Sequence, residues 1–337
     1  MFRYRYDGKF AKGADPILGL TSHIMPKRYD AMVNFHFAEK CDAVDAYIKK
    51  VAEEKDIKLT YMHIMIAALV RMYAEKPILN RFVMNGRVFD RKGIYIAFTM
   101  KKQLTEDAPE ETIKLRFTGE ETIFDIKRMI DEEVSKNRNT NDNDTVKTAA
   151  MLRAIPNGLT KFVVGTLKWM DKHGFMPHQI IDVSPFHVSA WLTNMKSIST
   201  EYVYHHLYDF GTSALFVGMG KEKLEPVVNQ TTGELEVAKM IHAGIVIDER
   251  ICDGFYYAKS IKVIRKIMRN PELLEKPFEL SEEQKLLNWL KDKVKALKKE
   301  IKARNKKQKK ENKVQKRTDK KKQKAEKKEQ KELNKAA

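Results

Sequence analysis

The stretch Asp248-Glu249-Arg250-Ile251-Cys252-Asp253-Gly254 decides how the rest of this sequence is read. It follows Ala238 to Ile247, an apolar and β-branched run that predicts a strand. It leads to Ala258 to Met268, whose spacing predicts a closing helix. Three carboxylates, a guanidinium and a thiol therefore meet at a strand-to-helix junction, where Gly254 permits close backbone approach.

Working outward, Phe35 to Phe37 predicts a short strand. Asp42 to Lys55 carries Val44, Tyr47, Ile48 and Val51 at helical spacing, with Asp42 placed to cap it. Thr60 to Lys76 reads as a largely buried helix ended by Pro77. Arg87 to Phe89, Ile94 to Met100 and Thr112 to Phe117 read as strands. Thr122 to Ser135 is helical by pattern, Lys136 to Asp144 is an Asn/Asp-rich loop, and Thr148 to Met176 is mostly helical with a break around Pro156. Val183 to Leu192 and Ser213 to Val217 complete the strands. Helices and strands mixed without strict alternation predict an α+β fold.

Composition separates the chain into two parts, an expected domain at 1–280 and a tail at 281–337. The tail carries 23 Lys and Arg against 9 Asp and Glu, a surplus of 14 that leaves +4 of the total +18 for the body. A body so nearly neutral does not read as a basic nucleic-acid-binding domain. Cys41 and Cys252 are too few for a disulfide framework and match no zinc spacing, so no metal is expected. The N-terminus lacks an apolar signal core, and the most apolar run, His63 to Ala74, is too short for a membrane span. The expectation is a soluble, cytoplasmic protein.

Three stretches, in order, resemble the superfamily of chloramphenicol acetyltransferase and the catalytic domains of 2-oxoacid dehydrogenase acyltransferases. Lys76-Pro77-Ile78-Leu79-Asn80-Arg81 with Asn85-Gly86-Arg87 and Ile94 to Phe98 is similar to the family's helix, turn and first core strand. Trp191-Leu192-Thr193-Asn194-Met195 is similar to its "T-I-S-N-L" strand, and Asp248 to Gly254 to its "D-H-R-x-x-D-G" or "H-H-x-x-C-D-G". The resemblance spans roughly 15–275. It implies a chloramphenicol acetyltransferase-like mixed sheet flanked by helices, a homotrimer with the active site between subunits, and coenzyme A as the acyl carrier. No lipoyl or subunit-binding domain is expected in this chain, nor membership of a large complex.

The family reaction needs a base for the acceptor's proton and a donor for the tetrahedral oxyanion. The resemblance places Thr193 at the oxyanion position and Glu249 where the catalytic histidine stands. It makes Asp253 a structural aspartate paired with an arginine, with Arg28 the partner expected by position. Glutamate is ordinarily a poor base near neutral pH, although burial strengthens it, and a nearby Arg250 would oppose that. His187 lies too far along its strand from Thr193, and His242 points opposite to Glu249. His205 and His206 fall where the family's loop runs beside the substrate channel, and are the histidines worth testing. Cys252 reads as a small core residue. Two functions follow: a coenzyme A-dependent acyltransferase of doubtful activity, or a noncatalytic trimeric scaffold displaying basic tails.

Two further segments complete the reading. Leu159 to Met176 is more apolar than a connector needs: tertiary packing is the expected use, an acyl-pocket cover or an amphipathic membrane-contact helix are the alternatives, and its lysines are too few to read it as a membrane helix. In the tail, Ser281 to Gln284 forms a capping box followed by Leu287, Leu290, Val294, Leu297 and Ile301 at heptad-like spacing. The tail is expected to be a long charged helix or disordered, with weak polyanion affinity.

Overall fold

The computed structural model describes residues 5–101, 110–139, 156–229, 231–306, 308 and 312. Strand β1 (Gly8–Phe10) precedes helix α1 (Pro16–Ile24), which the Asp15 carboxylate caps by accepting the Ile17 N–H at 2.8 Å. Then come β2 (Met32–Lys40), α2 (Asp42–Lys55) and α3 (Tyr61–Glu75). Cys41 rather than Asp42 occupies the N-cap of α2, and Thr60 caps α3. Strands β3 (Arg81–Met84), β4 (Arg87–Arg91), β5 (Ile94–Lys101) and β6 (Glu110–Phe117) follow. Next are helices α4 (Ile123–Asn139), α5 (Asn157–His173) and α6 (His178–Val183). Strands β7 (Ala190–Asn194), β8 (Leu215–Met219), β9 (Lys223–Val228) and β10 (Leu235–Asp248) lead to α7 (Gly254–Arg269) and α8 (Glu282–Asn288).

The large sheet runs β2-β10-β8-β7-β5-β6, with β9 also on β10, while β1-β4-β3 form a second sheet. Strands β5, β7 and β8 are parallel and the other pairs antiparallel, so the sheet is mixed. This is the α+β architecture expected. Period-two alternation sorts the faces. Ala190, Leu192, Leu215, Val217, Ile245 and Ile247 join the main core with α3, where twelve of fifteen residues are buried. Trp191, Phe216 and Val246 point the other way and join a smaller cluster with Val188 and Leu207.

The expected strand at Val183 to Leu192 is corrected: Val183 ends α6, a turn containing Pro185 follows, and pairing begins only at Ala190. Residues 148–155 of the expected helix before Pro156 lie outside the described residues, as do 140–144 of the expected loop, whose first residues, 136–139, are helical instead. The first compact unit extends through Asn288. The capping box forms, with the Ser281 N–H on Gln284 and the Gln284 N–H on the Ser281 hydroxyl. Helix α8 docks through Gln284 on the Ala74 carbonyl and Asn288 on the Thr118 carbonyl. In the second unit, residues 291–306 are helical.

Candidate active site

Asp248 is the last residue of β10, fully buried, and its carboxylate is gripped by Arg250 through Nε at 2.8 Å and Nη2 at 2.7 Å. Arg250 also donates to the Met25 carbonyl at 2.8 Å, tying the motif to the end of α1. Arg28 completes the cluster: its Nε lies 3.5 Å from Asp248, and it donates to the Tyr208 and Gly211 carbonyls. Burial drives the Arg28 guanidinium below its ordinary pKa, with Asp248 pulling the other way.

The expected Arg28 to Asp253 pair is thereby corrected. Asp253 is exposed and occupied otherwise, because its carboxylate accepts the Tyr256 N–H at 2.8 Å and caps α7. Helix capping claims it, and Asp248 takes the arginine. Gly254 opens α7, but a Cβ there would meet nothing within 4 Å, so this subunit imposes no close approach. Burial pushes the Cys252 thiol up to about 12, so it is no thiolate at neutral pH.

Glu249 is exposed, and its N–H donates to the Ala31 carbonyl at 3.0 Å. Arg250 has turned away to Asp248, so the opposing cation expected beside Glu249 is already engaged. Among the described residues the Glu249 carboxylate has no hydrogen-bond or ion-pair partner. The segments that meet this motif carry exposed apolar side chains: Ile24 precedes Met25, Tyr29 and Val33 flank Ala31, and Phe255 follows Gly254.

Thr193 lies on the sheet face opposite the main core. It pairs with Gly218, which pairs with Gly244. Glu249 is five residues beyond Gly244 and two strands across, about 16 Å along and about 10 Å over. One subunit therefore does not bring Thr193 and Glu249 together.

What approaches Thr193 instead is the segment 201–206, which crosses this face as a strap. A Cβ at Gly218 would stand 2.4 Å from the Val203 carbonyl oxygen, and one at Gly244 only 2.3 Å from it, so glycine is required at both. Beyond the crossing, the His205 ring stacks on Phe216 with centroids 4.1 Å apart and an interplanar angle of 11°. Its Nδ1 lies 2.9 Å from the His206 carbonyl oxygen. A carbonyl only accepts, so Nδ1 carries the proton, and in the neutral ring Nε2 is an acceptor. Among the described residues Nε2 has no partner. Phe216 is two residues before Gly218, which puts His205 about 7 Å along the sheet from Thr193 and one strand over. His206 is exposed and packs edge-on against Tyr208.

A second histidine link was not foreseen. His36 of β2 and His242 of β10 share a 2.7 Å hydrogen bond, and His242 reaches Glu225 at 2.9 Å. Their cue was register: His36 and His242 fall on the same face of neighbouring strands. Among the described residues no group of His, Cys, Asp and Glu is arranged to hold a metal. No family model matches the sequence. Among solved structures, the cubic core of the pyruvate dehydrogenase multienzyme complex superposes with a TM-score of 0.51 at 13% identity, over 77% of this chain and 88% of that one. The chain has the acyltransferase-core fold. A probable dihydrolipoamide acetyltransferase from Listeria monocytogenes 4b F2365 (TM-score 0.49, 16% identity, 77% of this chain, 94% of that one) is also similar. So is chloramphenicol acetyltransferase (TM-score 0.39, 12% identity, 73% of this chain, 92% of that one).

Proposed function

We propose that this chain transfers an acyl group from a coenzyme A thioester to a small acceptor, with His205 as base and Thr193 as oxyanion donor. The observation that carries this reading is the His205 ring: its Nδ1–H is committed to a backbone carbonyl, which leaves Nε2 as a proton acceptor on the face holding Thr193. In the proposed step Nε2 takes the proton of the acceptor thiol, hydroxyl or amine as that atom attacks the thioester carbonyl. The Thr193 hydroxyl donates to the resulting oxyanion. Among the described residues that hydroxyl donates to the Met195 sulfur at 3.8 Å, a weak partner that a charged oxygen displaces. Collapse of the intermediate expels the thiolate of coenzyme A, which takes the proton back from His205.

A second reading makes Glu249 the base, and its exposed carboxylate, without a partner among the described residues, favours it. Covering Ile24, Tyr29, Val33 and Phe255 with a second copy would remove water from that carboxylate and strengthen it as a base. The threefold assembly implied by the family resemblance supplies such a cover.

Release of free coenzyme A thiol from acetyl to octanoyl thioesters, with thiol, alcohol and amine acceptors, tests both. Loss of about 10²-fold or more in His205→Gln, with Glu249→Gln near wild type, is the expected result. The reverse pattern moves the base to Glu249. No release from any thioester by the wild type overturns the transferase and leaves the scaffold displaying basic tails.

A further inference from the structure

Of the 17 residues of α5 only Asp171 is buried, against the expectation that this apolar segment packs into the body. Phe162 is 71% exposed, Trp169 55% and Leu159 52%, while Val163, Leu167 and Met170 are half-buried. At 3.6 residues per turn these six side chains share one side of the helix. Lys161, Lys168 and Lys172 cluster within about 40° on the opposite side. Among the described residues none of the three lysines has an ion-pair partner.

The helix is anchored at its C-terminal end. Asp171 Oδ1 accepts Arg5 Nη2 at 2.8 Å, its Oδ2 lies 3.1 Å from His187 Nε2, and Gly174 ends the helix at a φ of 80°. Toward its start there is no side-chain cap. Gly158 and Gly165, with β-branched Thr160, Val163, Val164 and Thr166, make the segment a weak helix former. Helices of this length draw most of their stability from a covered apolar face. Among the described residues Leu159, Phe162 and Trp169 have no such cover.

Charge selects the occupant. The acid on this helix, Asp171, is buried and held by Arg5 and His187, so Lys161, Lys168 and Lys172 are the charges on its exposed surface. An anionic bilayer complements that arrangement, whereas stacking the same helix from another copy does not. Among the described residues no helix is long and apolar enough to cross a membrane, and the geometry here is that of lying on one. We propose that α5 docks in the plane of an anionic lipid surface, with Leu159, Phe162 and Trp169 in the acyl-chain boundary and the lysines on the water side. The Lys-rich residues 281–337 supply the second, electrostatic signal that stable attachment requires.

The test uses the full chain with vesicles of equal parts phosphatidylcholine and phosphatidylglycerol, the phosphatidylcholine carrying brominated acyl chains. The chain is expected to float with the vesicles and its tryptophan fluorescence to be quenched. Trp169→Phe should still float but lose the quenching. The double variant Leu159→Asp, Phe162→Asp, at positions whose exposure leaves the core untouched, should lose at least about tenfold in vesicle partitioning with unchanged circular dichroism. Undiminished quenching in Trp169→Phe would overturn the proposal, since another tryptophan would then be the one in lipid. So would unchanged flotation of the double variant, which assigns binding to the tail. A fall in oligomeric mass with unaltered vesicle binding would overturn it too, by giving α5 to a second copy.

Discussion

Asp248 accepts from Arg250, lies 3.5 Å from Arg28 and has no solvent exposure, so its charge holds two buried cations in place. Asp248→Asn should cost about 3–5 kcal/mol, because removing one member of a buried ionic cluster leaves the others uncompensated. Denaturant unfolding of the variant measures this. A second residue-scale expectation concerns Lys114, whose Nζ donates to the Ile181 and Ser184 carbonyls. Burial lowers its pKa to about 7. The unfolded chain therefore binds more protons than the folded one from pH 7 up to the ordinary lysine value, and stability rises with pH across that window. In Lys114→Met that slope should flatten, as thermal unfolding between pH 7 and 10 would show, whatever offset the lost hydrogen bonds add. The Asp248 to Gly254 motif was legible through its resemblance to the family's motif. Its pairing was not, because a cap and an ion pair compete for the same kind of carboxylate. Which of Asp248 and Asp253 each takes depends on where the strand stops and the helix starts, and observed α7 begins four residues before the expected Ala258.

At the scale of elements, α2 and α3 were readable because their apolar spacing coincides with the faces they bury. Strand β9 was not: Lys223, Leu224, Glu225 and Pro226 carry no inward apolar alternation, since the strand pairs only with β10 at the margin of the sheet. The strap was also invisible, although Gly218 and Gly244 were its trace, two glycines inside strands with no turn to explain them. Gly244→Ala should push a methyl into the Val203 carbonyl oxygen and lift the strap that carries His205. The expected cost is about 1–3 kcal/mol in stability, with a larger fractional loss of the proposed transfer than of folded protein. Helix α5 gives the opposite sign. A Cβ at Gly165 meets nothing within 4 Å, so Gly165→Ala should raise helicity and stabilise the chain by about 0.5–1 kcal/mol. Far-ultraviolet circular dichroism with a thermal melt decides it.

For the whole molecule, the separation of Thr193 from Glu249 stands with exposed apolar side chains on α1 and at the start of α7. Ile17, Leu20 and Ile24 line one stripe of α1 at 61–71% exposure, and Phe255 beyond the motif is 73% exposed. Exposed apolar side chains of this kind mark contacts between chains, and we propose self-association through this face. The body's modest charge of +4 offers little electrostatic opposition to self-association through this face. Ile24→Asp combined with Phe255→Asp should therefore reduce the mass measured by sedimentation equilibrium from an oligomer to a single chain. Both positions are exposed, so the fold itself should survive, as an unchanged near-ultraviolet spectrum would confirm. The same variant separates the two bases. If Glu249 of one copy serves Thr193 of another, thioester turnover falls with the mass and recovers at protein concentrations that restore association. If His205 serves the Thr193 of its own chain, the dissociated protein keeps most of its turnover. A single chain in the wild type at micromolar concentration would remove the assembly and leave Glu249 without a route to the site.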